Sequence, residues 1–198
     1  MSSMEIEYDN MLRIKTTGRD DSLSNNYNYP YEATDYQVLK RVAQSGYITK
    51  KSRLIDYGCG KGRVSFYLAF ETGCKAVGVE FNERLYQRAC ENLNNFPKPY
   101  NVSFVCDNAA KFTVEDDRDC FYFFNPFSVE VLHKVLTKIK DSYNSNPRDM
   151  YLFFYYPSDE YVAALTTDID LSFEDEIDCM DLFDSSDNRE RVLIFKIQ

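Results

Sequence analysis

The stretch that decides the fold is Leu54–Gly62, which reads LIDYGCGKG. Its short apolar run predicts a buried strand, and apolar residues at helical spacing after it predict a helix. Between the two lies a turn with glycine at positions 58, 60 and 62. Glycine lacks a Cβ atom, so the backbone can approach a ligand closely while the N–H groups at the start of the helix face it. This order of elements is typical of a nucleotide-type site.

The same alternation of strands and helices continues along the chain. We predict helices over 34–44, 83–93, 129–139 and 161–165, and strands over 54–57, 76–80, 102–106, 120–124, 150–156, 171–177 and 191–197. Strands that alternate with helices at this spacing indicate right-handed crossovers and a doubly wound, mostly parallel α/β sheet with helices on both faces. The change of pattern after Pro157 predicts an antiparallel pair at the end of the sheet.

The spacing of the glycines argues against two common nucleotide sites. A dinucleotide fingerprint requires Gly-x-Gly-x-x-Gly, but here the third glycine comes one residue early and Arg63 follows it. The pattern of a Walker phosphate loop is absent. A nicotinamide-dependent oxidoreductase is therefore disfavoured.

Two acids end the next two predicted strands. Glu80 lies 18 residues after Gly62, at an edge where a carboxylate can accept hydrogen bonds from both ribose hydroxyls of a nucleoside. Phe81 could cover an adenine face. Asp107 could accept the adenine amino group, with backbone groups of Asn108 beside it. The sequence thus predicts a nucleoside at this edge.

These motifs, together with a later Asn-Pro-Phe, resemble those of class I S-adenosylmethionine-dependent methyltransferases. The resemblance rests on Asp56–Arg63, Gly78–Phe81, Asp107 and Asn125–Phe127. It implies a seven-stranded sheet with an antiparallel last strand and S-adenosylmethionine as cofactor. The motif region also resembles a bacterial subset with Asn-Pro-Phe and the Dot1-type lysine methyltransferases. The cofactor-binding residues that we predict are Tyr31, Thr34, Asp56, Gly58, Cys59, Gly60, Gly62, Glu80, Phe81, Asp107, Asn108 and Asn125.

The predicted acceptor site is the motif Asn125-Pro126-Phe127, because it ends the fourth strand at the same edge as the glycine loop. We assign it the catalytic role. It departs from the Asn/Asp-Pro-Pro-Tyr/Phe motif of amino methyltransferases, and it could instead be a strand terminator that packs a phenylalanine. Methyl transfer depends mainly on proximity and orientation, and the sole histidine, His133, is a weak candidate for a base. Tyr155 and Tyr156 could wall the pocket.

We therefore expect methyl transfer to a small molecule or a protein side chain, with nitrogen slightly favoured over oxygen as the acceptor atom. Aromatic walls suit a lysine or methylammonium group through cation–π attraction. The alternative is a catalytically silent module that binds S-adenosylmethionine or S-adenosylhomocysteine.

Charge and composition limit the partners. The 198 residues carry a net charge of −9, and the segment 168–191 contributes −8 of it. The rest is nearly neutral, so duplex nucleic acid is an unlikely partner. The acidic segment is either a solvated face or a docking site for a basic partner.

The expected organisation is an N-terminal arm or lid over residues 1–32, polar and irregular, followed by a methyltransferase domain over 33–198.

No apolar run approaches the roughly 20 residues that cross a bilayer, and the start of the chain lacks the pattern of a signal peptide. We expect a cytoplasmic monomer or homodimer with no metal site. The six cysteines form no Cys-x-x-Cys pair and are expected to be reduced and mostly buried.

Overall fold

The computed structural model describes residues 3–18, 31–183 and 186–198, and within them it contains seven strands and six α-helices. The strands are β1 (Arg53–Tyr57), β2 (Lys75–Glu80), β3 (Val102–Cys106), β4 (Cys120–Phe123), β5 (Tyr151–Tyr155), β6 (Leu171–Asp178) and β7 (Arg191–Ile197). The helices are α1 (Ser3–Leu12), α2 (Tyr36–Gln44), α3 (Arg63–Thr72), α4 (Glu83–Leu93), α5 (Val129–Ser145) and α6 (Asp159–Thr167).

All seven strands form one sheet in the order β3-β2-β1-β4-β5-β7-β6. β3, β2, β1, β4 and β5 pair in parallel, whereas β7 pairs antiparallel with both β5 and β6. The predicted doubly wound α/β fold with an antiparallel last strand is confirmed. From β1 the strands are added first on one side, as β2 and β3, and then on the other side, as β4 and β5. Such a switch point, here between β1 and β4, opens a crevice at the carboxyl ends of the strands.

Each face of the sheet is covered by its own hydrophobic core. One core joins α1, α2 and α3 to the sheet, and Phe66 and Tyr122 are fully buried in it. The other joins α5 and α6 to the opposite face, around Phe121 and Phe154. Because neighbouring residues of a strand point to opposite faces, a strand in the middle of the sheet is apolar at every position. This explains why β4 is buried throughout its length.

Residues 3–12 differ from the irregular arm that we predicted, because they form the helix α1. Hydrophobic periodicity could not reveal it. Ile6 and Met11 are exposed, and the buried side of the helix includes the polar residue Asp9. The apolar contact comes from Leu12 and from Ile14 after the helix, both buried in the core. The rest of the predicted arm, residues 19–30, lies outside the described residues.

Helix boundaries also shift in three places. The helix predicted over 34–44 begins two residues later, as α2 at Tyr36, and its N-cap is Asp35, whose Oδ1 accepts the N–H of Gln37 at 2.7 Å. α5 extends six residues past its predicted end, to Ser145, and α6 spans nine residues rather than five.

The acidic segment forms the outer edge of the sheet. Most of β6 is exposed, including Glu174 and Asp175. Two of the neighbouring acids pair with bases from the helices: Asp181 binds Arg41 at 2.6 Å and Asp168 binds Lys140 at 2.5 Å. The described part of the segment is a largely solvated edge, and docking of a basic partner there stays a prediction. Among the described residues, no helix is long and apolar enough to cross a membrane.

Candidate functional site

A cavity of about 560 Å³ lies at the carboxyl ends of β1, β2, β3 and β4. This volume is within the range of sites for cofactors and small molecules. All the predicted site residues line it except Gly60 and Gly62, so the crossover connections bring residues from five separate segments to one place. Further lining residues include Tyr57, Arg63, Tyr122, Phe124 and Tyr156.

The glycine loop is held tightly against two other parts of the site. Gly58 has a φ of +71°, and a Cβ atom there would lie 2.4 Å from the Cβ of Pro126. A Cβ atom at Gly60, where φ is +55°, would lie 2.1 Å from the ring of Tyr31. Only glycine permits these contacts, which join the loop to the Asn-Pro-Phe motif on one side and to the N-terminal segment on the other.

Gly62 has a different environment from the other two glycines. A Cβ atom there would meet the ring of Phe104 at 2.5 Å and that of Phe66 at 2.8 Å. The third glycine thus allows α3 to pack closely on the sheet, and it lies outside the cavity lining.

Glu80 ties the end of β2 to the glycine loop. It is 8% exposed, and its two carboxylate oxygens accept the N–H groups of Gly60 and Asn82, each at 2.8 Å. Burial raises the pKa of Glu80, and the two backbone N–H groups oppose that rise by stabilising the ionised form. Each carboxylate oxygen can accept a second hydrogen bond. The carboxylate can therefore hold the loop and still accept ribose hydroxyls.

Asp56 lies beneath the loop rather than on its rim. It is buried, and its Oδ2 accepts the Ser65 hydroxyl at 2.8 Å and the Ser65 N–H at 3.2 Å. Burial raises the pKa of Asp56 to about 7, in spite of these hydrogen bonds. Cys59 is buried beside it, and burial raises the pKa of its thiol well above the usual value. Cys59 is therefore not an activated nucleophile.

Asp107 and Phe81 form the exposed end of the cavity. Asp107 is half-buried, and its Oδ1 accepts the N–H of Asn108 at 2.7 Å. Its own N–H donates to the carbonyl of Glu80, which fixes the loop after β3 beside the end of β2. Phe81 is 53% exposed although it lines the cavity. A large apolar side chain left this open is available to cover a ligand.

The opposite end of the cavity is built around Asn125. Its side-chain Nδ2 donates to the carbonyl of Tyr156, and its Oδ1 accepts the N–H of Ser158 at 3.3 Å. Phe124 and Tyr156 add aromatic walls, with their ring centres 6.4 Å apart. The amide of Asn125 thus fixes the turn after β5, and its remaining N–H and lone pair can face the cavity.

Phe127 is only 3% exposed, although it borders the cavity. Its ring packs edge-on against Phe123, and its carbonyl accepts the hydroxyl of Tyr161 at 2.7 Å. This is the environment of a core residue. The exposed aromatic surface beside Asn125 belongs instead to Phe124 and Tyr156, and the role of Phe127 in stacking on an acceptor stays a prediction.

Two other candidates fall outside the site. His133 lies on an exposed face of α5 and does not line the cavity. Tyr155 is buried and does not wall the pocket, and its hydroxyl donates to Glu190 at 2.7 Å. Tyr156, the second tyrosine of the pair, does line the cavity.

Several lining residues went unnoticed in the sequence, although some left a signal there. Tyr122 and Phe124 are two positions apart at the end of a predicted strand, so they point to the same face as each other. Leu85 and Val131 reach the cavity from separate helices and have no local signal.

All six cysteines are free, four of them buried, as expected. Among the described residues, no group of His, Cys, Asp or Glu could hold a metal ion.

Comparison with known proteins identifies the family. Residues 48–146, half of the chain, match a family described as a methyltransferase domain. The chain belongs to this methyltransferase domain family. The topology is that of class I S-adenosylmethionine-dependent methyltransferases, as the sequence motifs implied.

Two curated relatives are similar over part of the chain. The H3 lysine-79-specific histone-lysine N-methyltransferase of Dictyostelium discoideum is 32% identical over 68 residues, which are 34% of this chain and 4% of that protein. A protein-lysine N-methyltransferase of Saccharolobus islandicus is 30% identical over 80 residues, which are 40% of this chain and 50% of that protein. The matches thus span half or less of the curated relatives.

Solved structures show the same fold. The tRNA (uracil-54, C5)-methyltransferase of Pyrococcus abyssi, in complex with S-adenosyl-L-homocysteine, superposes with a TM-score of 0.59. The match covers 85% of this chain and 40% of that one, at 16% identity. At this identity the likeness concerns the fold alone.

The cavity of the methyltransferase domain fits S-adenosylmethionine in two respects. Glu80, a buried carboxylate at the end of β2, lines the cavity, and beside the loop N–H that it already accepts its oxygens have lone pairs for ribose hydroxyls. In addition, Arg63 lines the cavity, and its guanidinium Nη2 is buried without a hydrogen-bond partner among the described residues. A buried donor of this kind suits a ligand carboxylate.

Proposed function

We propose that this protein transfers a methyl group from S-adenosylmethionine to a nitrogen atom, with a lysine side chain of a protein as the first candidate acceptor. The observation that carries the proposal is the continuity of the cavity. It runs from Glu80 and Asp107 at one end to Asn125, Phe124 and Tyr156 at the other. A cofactor and an acceptor can therefore meet within a single cleft.

The proposed cofactor contacts follow from the geometry of the site. Glu80 holds the glycine loop and accepts the ribose hydroxyls, Asp107 accepts the adenine amino group, and Phe81 covers the adenine ring. Arg63 offers its free Nη2 to the carboxylate of the cofactor. When bound, S-adenosylmethionine supplies a methyl group on a sulfonium leaving group. The residues of the chain only need to orient the acceptor nitrogen in line with that bond.

The acceptor end has features that suit a cationic amine. Phe124 provides an aromatic face for cation–π attraction. The ring of Tyr156 already attracts a cation on one face, since the guanidinium of Arg189 lies 4.4 Å from its centre. Glu32, an exposed acid, also lines the cavity and can attract a cation. Both curated relatives are lysine methyltransferases by name, which supports the same acceptor for this chain.

One observation favours the alternative of a binding module without catalysis. The amide of Asn125, the expected acceptor contact, already bonds Tyr156 and Ser158 on its two sides. A module that only senses the cofactor would keep the cofactor contacts and use Asn125 purely to hold the turn.

The first experiment is calorimetric titration with S-adenosylmethionine and S-adenosylhomocysteine, with NAD and NADP as controls and Glu80→Ala as a variant. Saturable binding of the first two, weakened in Glu80→Ala, is expected. No binding by folded wild-type protein would contradict the assignment of the cofactor.

The second experiment tests the acceptor with methyl-labelled S-adenosylmethionine and an array of lysine-containing peptides. A matched array has its lysines blocked by acetylation. Label on the first array alone, recovered as methyl-lysine after hydrolysis, is the expected result. Label on both arrays would indicate another acceptor atom, and cofactor binding without any transfer to peptides, proteins or small amines would favour the binding module.

A further inference from the structure

Arg63, the first residue of α3, connects the cavity wall to the N-terminal segment. Its side chain is 3% exposed. Nη1 donates to the carboxylate of Glu5 on α1 and to the carbonyl of Thr34 at 3.0 Å, and Nε donates to the hydroxyl of Thr16 at 2.7 Å. The remaining nitrogen, Nη2, lies 3.9 Å from a carboxylate oxygen of Asp9, beyond hydrogen-bond distance. Three donors of the guanidinium are thus used, Nη2 has no hydrogen-bond partner among the described residues, and Arg63 itself lines the cavity.

A second layer of hydrogen bonds fixes the residues that hold Arg63. Asp9 accepts the N–H of Thr16 at 2.8 Å, the hydroxyl of Thr16 at 2.7 Å and the hydroxyl of Tyr36 at 2.5 Å. The guanidinium of Arg63 lies over the ring of Tyr36, 4.3 Å from its centre. The planar fork therefore has contacts on its edge and on its face, which leaves it one orientation.

The same segment also reaches the glycine loop. The carbonyl of Thr16 accepts the hydroxyl of Tyr31 at 2.6 Å, and the ring of Tyr31 covers Gly60. Lys61, within the loop, donates to the carbonyl of Thr17 at 2.7 Å. Both the loop and Arg63 are thus supported by residues that precede residue 48, where the matched methyltransferase region begins.

We propose that Glu5, Asp9 and Thr16 are positioning residues of the cofactor site: they hold Arg63 so that its free Nη2 meets the carboxylate of the cofactor. The inference rests on the proposed binding of S-adenosylmethionine. It makes the N-terminal helix a part of the site rather than an appendage. Coupling between two sites is reciprocal, so bound cofactor must also strengthen the docking of α1.

The test uses two ligands, of which only one carries the carboxylate that Arg63 is proposed to bind. S-adenosylhomocysteine carries the carboxylate, whereas 5′-methylthioadenosine keeps the nucleoside and the sulfur but lacks the amino acid. Glu5→Gln removes the charge beside Arg63 and nearly preserves the shape of the side chain. The matched control is Glu130→Gln, which removes an exposed ion pair with Lys134 on α5.

We expect Glu5→Gln to weaken the binding of S-adenosylhomocysteine about tenfold, since a charge-assisted pair loses its orientation. Binding of 5′-methylthioadenosine should stay at its wild-type value, and Glu130→Gln should change neither. In the wild type, S-adenosylhomocysteine should slow amide hydrogen exchange in residues 3–18, and 5′-methylthioadenosine should slow it much less.

Three results would count against the inference or its basis, and they can be told apart. Wild-type protein that binds neither ligand would contradict the proposed function itself. Wild-type affinity of Glu5→Gln for both ligands would overturn the positioning role alone. Equal weakening of the binding of both ligands would show that the substitution has a general structural effect, and it would also overturn the positioning role.

Discussion

Asn125 and Tyr156 follow two neighbouring parallel strands, and the side-chain amide of the first donates to the backbone carbonyl of the second. Both residues have positive φ angles, 38° and 50° respectively. Asparagine tolerates this conformation, but it is uncommon for a tyrosine and is retained only when the surroundings fix it. The hydrogen bond thus holds an aromatic wall of the cavity in a conformation that the backbone alone would not favour.

Replacing Asn125 should therefore affect transfer more than cofactor binding. In Asn125→Ala the carbonyl of Tyr156 and the N–H of Ser158 lose their partners, which should lower the free energy of unfolding by about 1–3 kcal/mol. A displaced Tyr156 should reduce the rate of methyl transfer about 10- to 100-fold, while S-adenosylhomocysteine binds nearly as in the wild type. Thermal unfolding, calorimetry and a transfer assay measure the three effects.

A suitable control for Asn125→Ala is Asn101→Ala, which removes a longer hydrogen bond of 3.4 Å to Gly73 away from the cavity. If the two variants had the same transfer rate, Asn125 would have no role in building the acceptor wall.

Two glycine variants distinguish the effect of the close contact between Gly60 and Tyr31 from the effect of backbone strain. Gly60→Ala should abolish or strongly weaken cofactor binding, because its Cβ atom would lie 2.1 Å from the ring of Tyr31. Gly46→Ala is the matched control, since Gly46 has a φ of +87° and nothing within 4 Å of its added Cβ atom. Both variants should lose about 1 kcal/mol of stability from positive φ. Only Gly60→Ala should lose affinity, and equal affinities would contradict the role of this contact.

Asp56 should make stability depend on pH in the neutral range. Burial raises its pKa from 3.8 to about 7 in the folded protein, so between these values the folded state keeps a proton that the unfolded chain releases. The free energy of unfolding must then fall as pH rises from about 4 to about 7. Replacing the carboxyl with a neutral amide in Asp56→Asn should reduce the fall between pH 5 and pH 8 by about 1–3 kcal/mol.

Urea unfolding at pH 5 and pH 8 measures this effect. Asp141→Asn, on an exposed face of α5, serves as the control and should keep the wild-type dependence. The same fall in Asp56→Asn as in the wild type would contradict the raised pKa of Asp56 in the folded protein.

His133 should be dispensable for catalysis. It is exposed on α5 and does not line the cavity, so it cannot remove a proton from an acceptor bound there. His133→Ala should keep the wild-type kcat and the wild-type pH profile of kcat/KM. A loss of the basic or acidic limb of that profile in the variant would contradict the prediction.

Local sequence determined much of this protein. The apolar runs at Leu54–Tyr57 and Cys120–Phe123 predict buried strands because a central strand has no solvent-facing side. The glycine spacing and the acid at position 80 predict a nucleoside site, because parallel strands end at a shared edge. Such signals are carried by residues that are close together in the chain, and for this reason they can be read without the structure.

The tertiary structure alone decided which groups meet. The helix α1 escaped prediction because its buried side mixes polar contacts, through Glu5 and Asp9, with the apolar contact of Leu12, so that no hydrophobic period appears. The partners of Arg63 and Asn125 lie about 30 to 60 residues away along the chain. Their pairing depends on the packing of α1 against α3 and of β4 against β5. A hydrogen bond between distant segments has no local pattern, since it exists only after the core has brought its two ends together.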